Sequence, residues 1–394
     1  MRHAAEANVW KSYLYGFLMD CSLTAPVWVL YLRDERGFSL TQITLMEVPL
    51  FLLIVFAEVP TGAVADRFGR KVSLMLASAI LAVSMFVYGI ATNYWVVLVS
   101  NLTWGLAFTF RSGADTALLY DSLKEAGREP DFQRANARFW AVRFAAMLTG
   151  LLLGAAIAAE TRYSVAVTLS ALVSACALPV AWLLHEPAHV RAPEREPYLR
   201  TLVGGLREAW RAPALRYLFL FSGVVGAGAA GPLLLLLQPW LVAHGIDTAS
   251  LGLWQAPMSA VGALAALAAT RLLVGVGELR AFWTLPVMLS ACGCVLAALD
   301  HVGAAAAFLG IALVRGLHEP LLATAVNRRV ESERRATVLS VQNMVGNVGM
   351  AAVWPLAGLA ADAYGLGTVF ALYAAGAAVL GGSALLLYGR ARAG

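Results

Sequence analysis

Twelve apolar windows, each long enough to cross a bilayer as a helix, constrain this chain more than any other feature. They occupy residues 9–31, 43–65, 72–91, 95–120, 137–159, 164–184, 217–242, 249–274, 281–299, 302–326, 337–360 and 368–388, with short polar stretches between them. About 20 residues at 1.5 Å each span the roughly 30 Å hydrocarbon core. A membrane β-barrel would instead show alternating segments of about ten residues. Composition agrees, with 60% of residues apolar and 13% charged, against about 45–50% and 25% in soluble domains. The windows predict an all-α membrane protein with twelve transmembrane helices.

Orientation follows from the basic residues, because Lys and Arg in short loops stay cytoplasmic during insertion. With the N-terminus inside, the inner segments hold 23 of the 29 basic residues, and the outer ones hold three, Arg33, Arg36 and Arg162. Both termini are expected in the cytoplasm, with the chain in a plasma membrane, which in a bacterium is the inner one. The net charge of +5 then meets anionic lipid, and no nucleic-acid partner is implied. The first window exceeds a signal-peptide core and carries Asp20, so it reads as a retained span. Cys21, Cys176, Cys292 and Cys294 all fall inside windows. The last two point about 200° apart on a helix, so neither a disulfide framework nor a metal pair is expected. No nucleophile motif or phosphate-binding loop is found, which disfavours an enzyme or an ATP-driven pump. No cofactor is implied.

The polar stretch 185–216 leaves six windows on either side. It divides the chain into an N-terminal bundle (1–184), a linker (185–216) and a C-terminal bundle (217–394). Within the linker, Leu199, Leu202, Val203, Leu206 and Trp210 recur at helical spacing, which predicts an interfacial helix over 198–211. Six is even, so both halves enter the membrane from one side and form parallel repeats. An echo supports this. Arg111 precedes Asp115 by four residues in the fourth window, and Arg315 precedes Glu319 by four in the tenth. Arg134-Ala135 and Arg335-Ala336 follow them into the next windows.

The loop after the second window reads Gly62-Ala63-Val64-Ala65-Asp66-Arg67-Phe68-Gly69-Arg70-Lys71. This resembles the G-x-x-x-D-R-x-G-R-K loop of the major facilitator superfamily at every defining position. Gly62 suits close helix approach and Gly69 a tight reversal. Asp66 can hold a helix end or a basic residue, while Arg67, Arg70 and Lys71 meet lipid phosphates. The resemblance covers nearly the whole chain and is to the twelve-helix, drug/proton-antiporter-like members. It implies two pseudo-symmetric six-helix bundles, a monomer that suffices, and a cytoplasmic latch formed by Asp66 and Arg70, for which Asp121 is a partner. The second half has no copy of the motif between Arg271 and Arg280, so the latch is expected to be asymmetric. Two departures weigh against antiport and drug export: Asn101 precedes Gly105 where an Arg is usual, and Gly150 and Gly154 stand without a proline.

Ionisable groups within spans are costly and usually functional. Here they are Asp20, Glu47, Glu58, Arg111, Asp115, Arg143, Arg315, His318 and Glu319. Asp20 lies roughly 16 Å into its helix, with no Lys or Arg deeper than Lys11 on that helix, on a stripe with Tyr13, Gly16, Thr24 and Tyr31 that can face a cavity. It is the leading proton-coupling residue, with Glu58, Asp115, His318 and Glu319 as further candidates. The alternative is a structural Asp20 paired with an Arg from another helix. Arg111 and Arg315 are each expected to pair with the acid four residues on. Glu58 and Arg143 suggest a further pair.

Candidate substrate-binding residues are Phe17, Trp28, Trp104, Arg111, Trp140, Phe144, Gln238, Gln255, Arg315, Gln342, Asn343 and Asn347, together with Trp254 and Met258. The reading is a secondary transporter that couples protons to export of a hydrophobic or amphipathic small molecule by rocking two bundles about a midplane site. The alternative is an organic-anion carrier holding its substrate on Arg111 and Arg315. A non-transporting membrane sensor is a remote third.

Overall fold

The computed structural model describes residues 2–187, 210–330 and 335–393, and among them every regular element is helical. The interfacial helix expected over 198–211 lies largely outside the described residues, as do the side chains of Arg335 and Ala336. In chain order the helices of 11 residues or more are α1 (Arg2–Asp20), α2 (Leu40–Phe68), α3 (Arg70–Ile90), α4 (Tyr94–Arg111), α5 (Ala114–Glu125), α6 (Phe132–Glu160) and α7 (Tyr163–Trp182). They continue with α8 (Pro213–Gly231), α9 (Leu251–Val276), α10 (Glu278–Ala298), α11 (Ala306–Asn327), α12 (Arg335–Tyr364), α13 (Leu366–Gly376) and α14 (Gly382–Ala393). Two compact units result. Unit 1 comprises Met1–Gly37, Leu53–Glu194 and Asp247–Leu253, and unit 2 comprises Phe38–Leu52, Arg195–Ile246 and Trp254–Gly394.

Ten helices among the described residues are long and apolar enough to cross a membrane. The other two windows, the first and the fourth, are interrupted rather than absent. After α1 ends at Asp20, residues 21–27 turn before a short helix resumes at Trp28–Leu30. Pro26 lies in this stretch; it lacks an N–H and disfavours helix at Ala25. In the fourth window α4 stops at Arg111, Ser112 is extended, and Gly113 takes φ +76°. Glycine adopts that left-handed conformation without steric cost. The break puts Arg111 at the negative end of α4 and Asp115 in the first turn of α5, the end that favours each charge.

Glycines on α6 fix the first interruption in place. Arg143, Met147, Gly150 and Gly154 follow helical spacing along one face. A Cβ on Gly150 would lie 2.6 Å from the carbonyl oxygen of Ser22, and one on Gly154 would lie 2.2 Å from that of Leu23. The backbone just after Asp20 therefore rests directly on α6. Gly16 of α1 gives the same close access to Phe139 and Arg143. Of the Asp20 stripe, Asp20 itself borders a cavity as the sequence suggests, while its neighbours pack inward. Tyr13 stacks on Phe139 and donates to the Ala135 carbonyl at 3.1 Å, and Thr24 donates to Ser170 at 3.0 Å. Gly62 differs from its expected role, since a Cβ there would meet nothing within 4 Å. No close helix approach depends on it.

Candidate functional site

Unit 1 gathers four charges from three spans. Arg111 donates from Nη1 and Nη2 to the two oxygens of Asp20, both at 2.7 Å, and from Nε to Asp115 at 3.1 Å. Arg143 of α6 donates from Nε to Asp20 and from Nη1 to Asp115 at 3.4 Å. Asp115 also accepts the Thr116 N–H at 2.7 Å. Two guanidiniums and two carboxylates balance, and each charge has an opposite neighbour. This meets the requirement for charge held away from water. The Arg111–Asp115 pair forms as its spacing suggests. Asp20 is paired with arginines from other helices, the alternative left open by the sequence: the helix break brings Arg111 to it, and the Gly150 and Gly154 seat brings Arg143. The Glu58–Arg143 pair does not form, because Arg143 is already committed. Glu58 is exposed and has no ion-pair partner among the described residues.

This network borders a cleft of about 350 Å³ lined by Met19, Asp20, Ser22, Leu81, Trp104, Ala107, Phe108, Arg111, Trp140, Arg143, Phe144 and Met147. That is at the small end of ligand pockets, about 300–1,000 Å³. Trp104 and Phe108 stack 16° from parallel, and the Arg143 guanidinium sits 4.3 Å from the centre of the Trp140 ring. Met19, Ser22, Leu81, Ala107, Phe108, Arg143 and Met147 were missed as lining residues. The spacing of Arg143 and Met147 with Gly150 was the signal that would have found two of them. Phe17 and Trp28 are half-buried and do not line the cleft. A wider cleft, about 600 Å³, includes Asp34, Glu35 and Asp247. Its acids are engaged locally: Asp34 with Arg33, Glu35 with the Ser164 N–H, and Asp247 as a helix cap.

Unit 2 holds Gln238, Gln255, Arg315, His318, Glu319, Gln342, Asn343 and Asn347. The expected Arg315–Glu319 pair is not made. Glu319 lies 3.5 Å from His318 Nδ1 and accepts from Gln342 Nε2 at 3.0 Å. Arg315 is exposed and has no hydrogen-bond or ion-pair partner among the described residues. His318 Nε2 and Gln342 Oε1 are buried without a hydrogen-bond partner among the described residues. Asn343 is exposed, Asn347 half-buried, and Gln238 and Gln342 are buried.

The motif loop has a built geometry. Gly69 takes φ +100° and opens α3, where Glu186 accepts the N–H groups of Arg70 at 2.9 Å and Lys71 at 2.7 Å. Arg70 forms its ion pair with Asp121 and donates to the Ala117 carbonyl at 2.6 Å. Arg67 lies over the Phe68 ring, and Asp66 is exposed without an ion-pair partner among the described residues. The second half lacks the Asp-Arg pair of the motif, and its equivalent loop builds a related corner from Gly277 and Glu278. Gly277, with φ +81°, opens α10, and Glu278 follows it in the place of Arg70. Glu278 accepts from Arg329 near the end of α11 at 2.5 Å and from the Tyr388 hydroxyl, with Arg392 at 3.6 Å. Arg70, Asp121 and Glu186 in one unit thus answer to Glu278, Arg329 and Arg392 in the other, every sign reversed. A search for the same letters misses it.

Known proteins agree with this architecture. The model of the Major Facilitator Superfamily matches residues 16–353. A crystal structure of the nucleoside transporter NupG, a D323A mutant, superposes with a TM-score of 0.85 at 15% identity, over 96% of this chain and 99% of that one. An inward-facing bacterial homolog of the human lysosomal transporter Spinster gives 0.71 at 15% identity, over 99% and 96%. Among curated proteins, the uncharacterized MFS-type transporters YxaM and YqjV of Bacillus subtilis (strain 168) are 27% identical over 103 residues and 29% identical over 137. Those matches cover 26% and 34% of this chain and only 25% and 31% of the two relatives. With its family model spanning most of the sequence and its fold shared end to end, this integral membrane protein belongs to the Major Facilitator Superfamily.

Proposed function

We propose that the chain is a proton-coupled secondary transporter of a small amphipathic molecule, seated in the aromatic cleft of unit 1, with Asp20 as the coupling acid. One observation carries this reading: both oxygens of Asp20 are held by guanidiniums from two other spans, at the edge of that cleft. A proton on Asp20 removes the charge that holds those pairs. Proton loading, helix contacts and exposure of an arginine to the cleft are then a single event, which is what coupling requires. Rings on the walls and charge at one side suit an amphipathic guest. On the 23 of 29 asymmetry of basic residues, we place both termini and the Arg70 end in the cytoplasm of a plasma membrane. A monomer carries the activity. Asp66 and the Arg70–Asp121 pair serve as the latch at that end.

The test is proton movement across liposomes holding the purified protein, with pools of cationic, neutral and anionic compounds. Flux elicited by one pool and lost in Asp20→Asn is the expected result, and its sign separates export against the proton from uptake with it. Compound-driven flux that survives Asp20→Asn moves the coupling site to Glu319 and His318 in unit 2.

A further inference from the structure

We infer that the substrate is a planar aromatic carboxylate, whose anion replaces Asp20 on Arg143 while Asp20 takes up one proton. This rests on reading the unit 1 cleft as the substrate site, and deepens it.

Arg111 has all three nitrogens on carboxylate oxygens. Arg143 does not: Nε and Nη1 are used, and Nη2 has no acceptor among the described residues. Its side chain is 18% exposed and borders the cleft. A guanidinium with an open edge is shaped for a second carboxylate, which it binds through two parallel N–H groups. Trp140 lies under that guanidinium, and Trp104, Phe108 and Phe144 complete an apolar wall. A flat ring attached to the carboxylate stacks there.

Charge balance then dictates the proton. The resting site is neutral, and an added anion would leave one uncompensated negative charge in a poorly solvated place, which is costly. A proton on one of the two acids restores neutrality. Asp20 is the one that yields, because it lines the cleft with its side chain 22% exposed. Asp115 is 7% exposed and tied to the Thr116 N–H at the start of α5. The groups facing Asp20 are Arg111, Asp115 and Arg143, with Tyr15 on its own helix. The remaining helix packed on α1, α7, has no Asp, Glu, Lys, Arg or His. A cationic guest would be repelled by Arg143, and a neutral one would accept from its open edge without the charge that strengthens the bond.

The experiment is calorimetric titration of the purified full chain with indole-3-acetate, indole-3-acetamide and tryptamine, which share a ring and differ in charge. Each is measured in two buffers of different protonation enthalpy. The acetate is expected to bind at least tenfold tighter than the amide, with tryptamine weakest and about one proton taken up per acetate. Asp20→Asn should bind acetate without proton uptake. Arg143→Gln should lose the acetate preference, Arg143→Lys should keep part of it, and the charge-balanced Asp20→Asn/Arg143→Gln double should lose it while staying folded. Amide or tryptamine binding as tight as acetate overturns the inference, as does acetate binding with no proton uptake in the unaltered chain. A preference that survives Arg143→Gln overturns it too. If none of the three binds while other compounds still drive Asp20-dependent flux in liposomes, the aromatic carboxylate class falls and the proposed transport site stands.

Discussion

Arg111 and Asp115 in unit 1 and Arg315 and Glu319 in unit 2 share one sequence spacing, yet only the first pair meets. The difference shows how little an i, i+4 spacing decides by itself, since such a pair contributes only about 0.2–0.5 kcal/mol. What decides is the neighbourhood. In unit 1 the chain breaks between the two residues, and Asp20 and Arg143 supply the other half of a closed network. In unit 2 the helix runs on unbroken through Arg315. The α8 segment packed beside it ends in Gly-Ala-Gly-Ala-Ala-Gly, with no charge deeper than Arg216. One unit neutralises its buried charges internally. The other leaves a cation without a partner among the described residues and an acid supported by His318 and Gln342.

The largest test of that contrast removes the arginines in turn. Arg111→Gln leaves Asp20 and Asp115 facing a single cation, and breaking such a buried pair costs about 3–5 kcal/mol. Arg315→Gln breaks no pair and should stay within about 0.5 kcal/mol. Thermal unfolding in detergent reads both. The Arg111→Gln/Asp20→Asn double restores neutrality and should recover much of the loss, a coupling visible in the cycle. Equal losses in the two single variants would erase the distinction between the units.

A second test concerns the two glycine-led corners. Glu278→Gln weakens charge-assisted hydrogen bonds from Arg329 and Tyr388, each worth about 1.5–3 kcal/mol when lost. The reciprocal exchange Glu278→Arg with Arg329→Asp gives unit 2 the polarity of Arg70 and Asp121. Protein recovered by the exchange beyond either single change would show that the corners share a geometry and differ only in sign. No recovery would mean that Arg392 and Tyr388 demand the carboxylate.

How much of this was legible follows from which interactions are local. A span needs only about 20 apolar residues in a row, and the motif loop is contiguous, so ten unbroken spans among the described residues, and Gly69, could be read directly. The Arg70–Asp121 pair, 51 residues apart, followed only from the family resemblance. The break at Ser112–Gly113 lay inside a window whose apolar residues continue on both sides, marked only by the short polar stretch Arg111 to Thr116 around one glycine. The partners of Asp20 lie 91 and 123 residues along the chain, a separation that no helical period reaches. Spacing also misled in unit 2, where Glu319 meets His318 and Gln342 instead of Arg315.

A third, smaller effect sets two glycines of unit 1 against each other. Gly154 supports the turn after Asp20, and an added Cβ would press on the Leu23 backbone. Gly154→Ala should therefore cost about 1–3 kcal/mol, the usual penalty of overpacking, even though alanine is the better helix former. Acetate titration of this variant should also weaken, because the turn carries Asp20 away from Arg143.

Gly62→Ala isolates the opposite case and gives the smallest change. Gly62 is a helical residue of α2, and an added methyl would meet nothing within 4 Å. No packing term opposes the helix propensity of alanine, so the substitution should stabilise by up to about 1 kcal/mol. A small rise in thermal midpoint in detergent is the expected reading. A fall would mean that Gly62 makes a close approach in another state of the transport cycle, as its place in the motif implies. Flux in liposomes would then drop with it. The two glycines are chemically identical, and the sign of each alanine substitution depends only on what stands opposite the missing side chain.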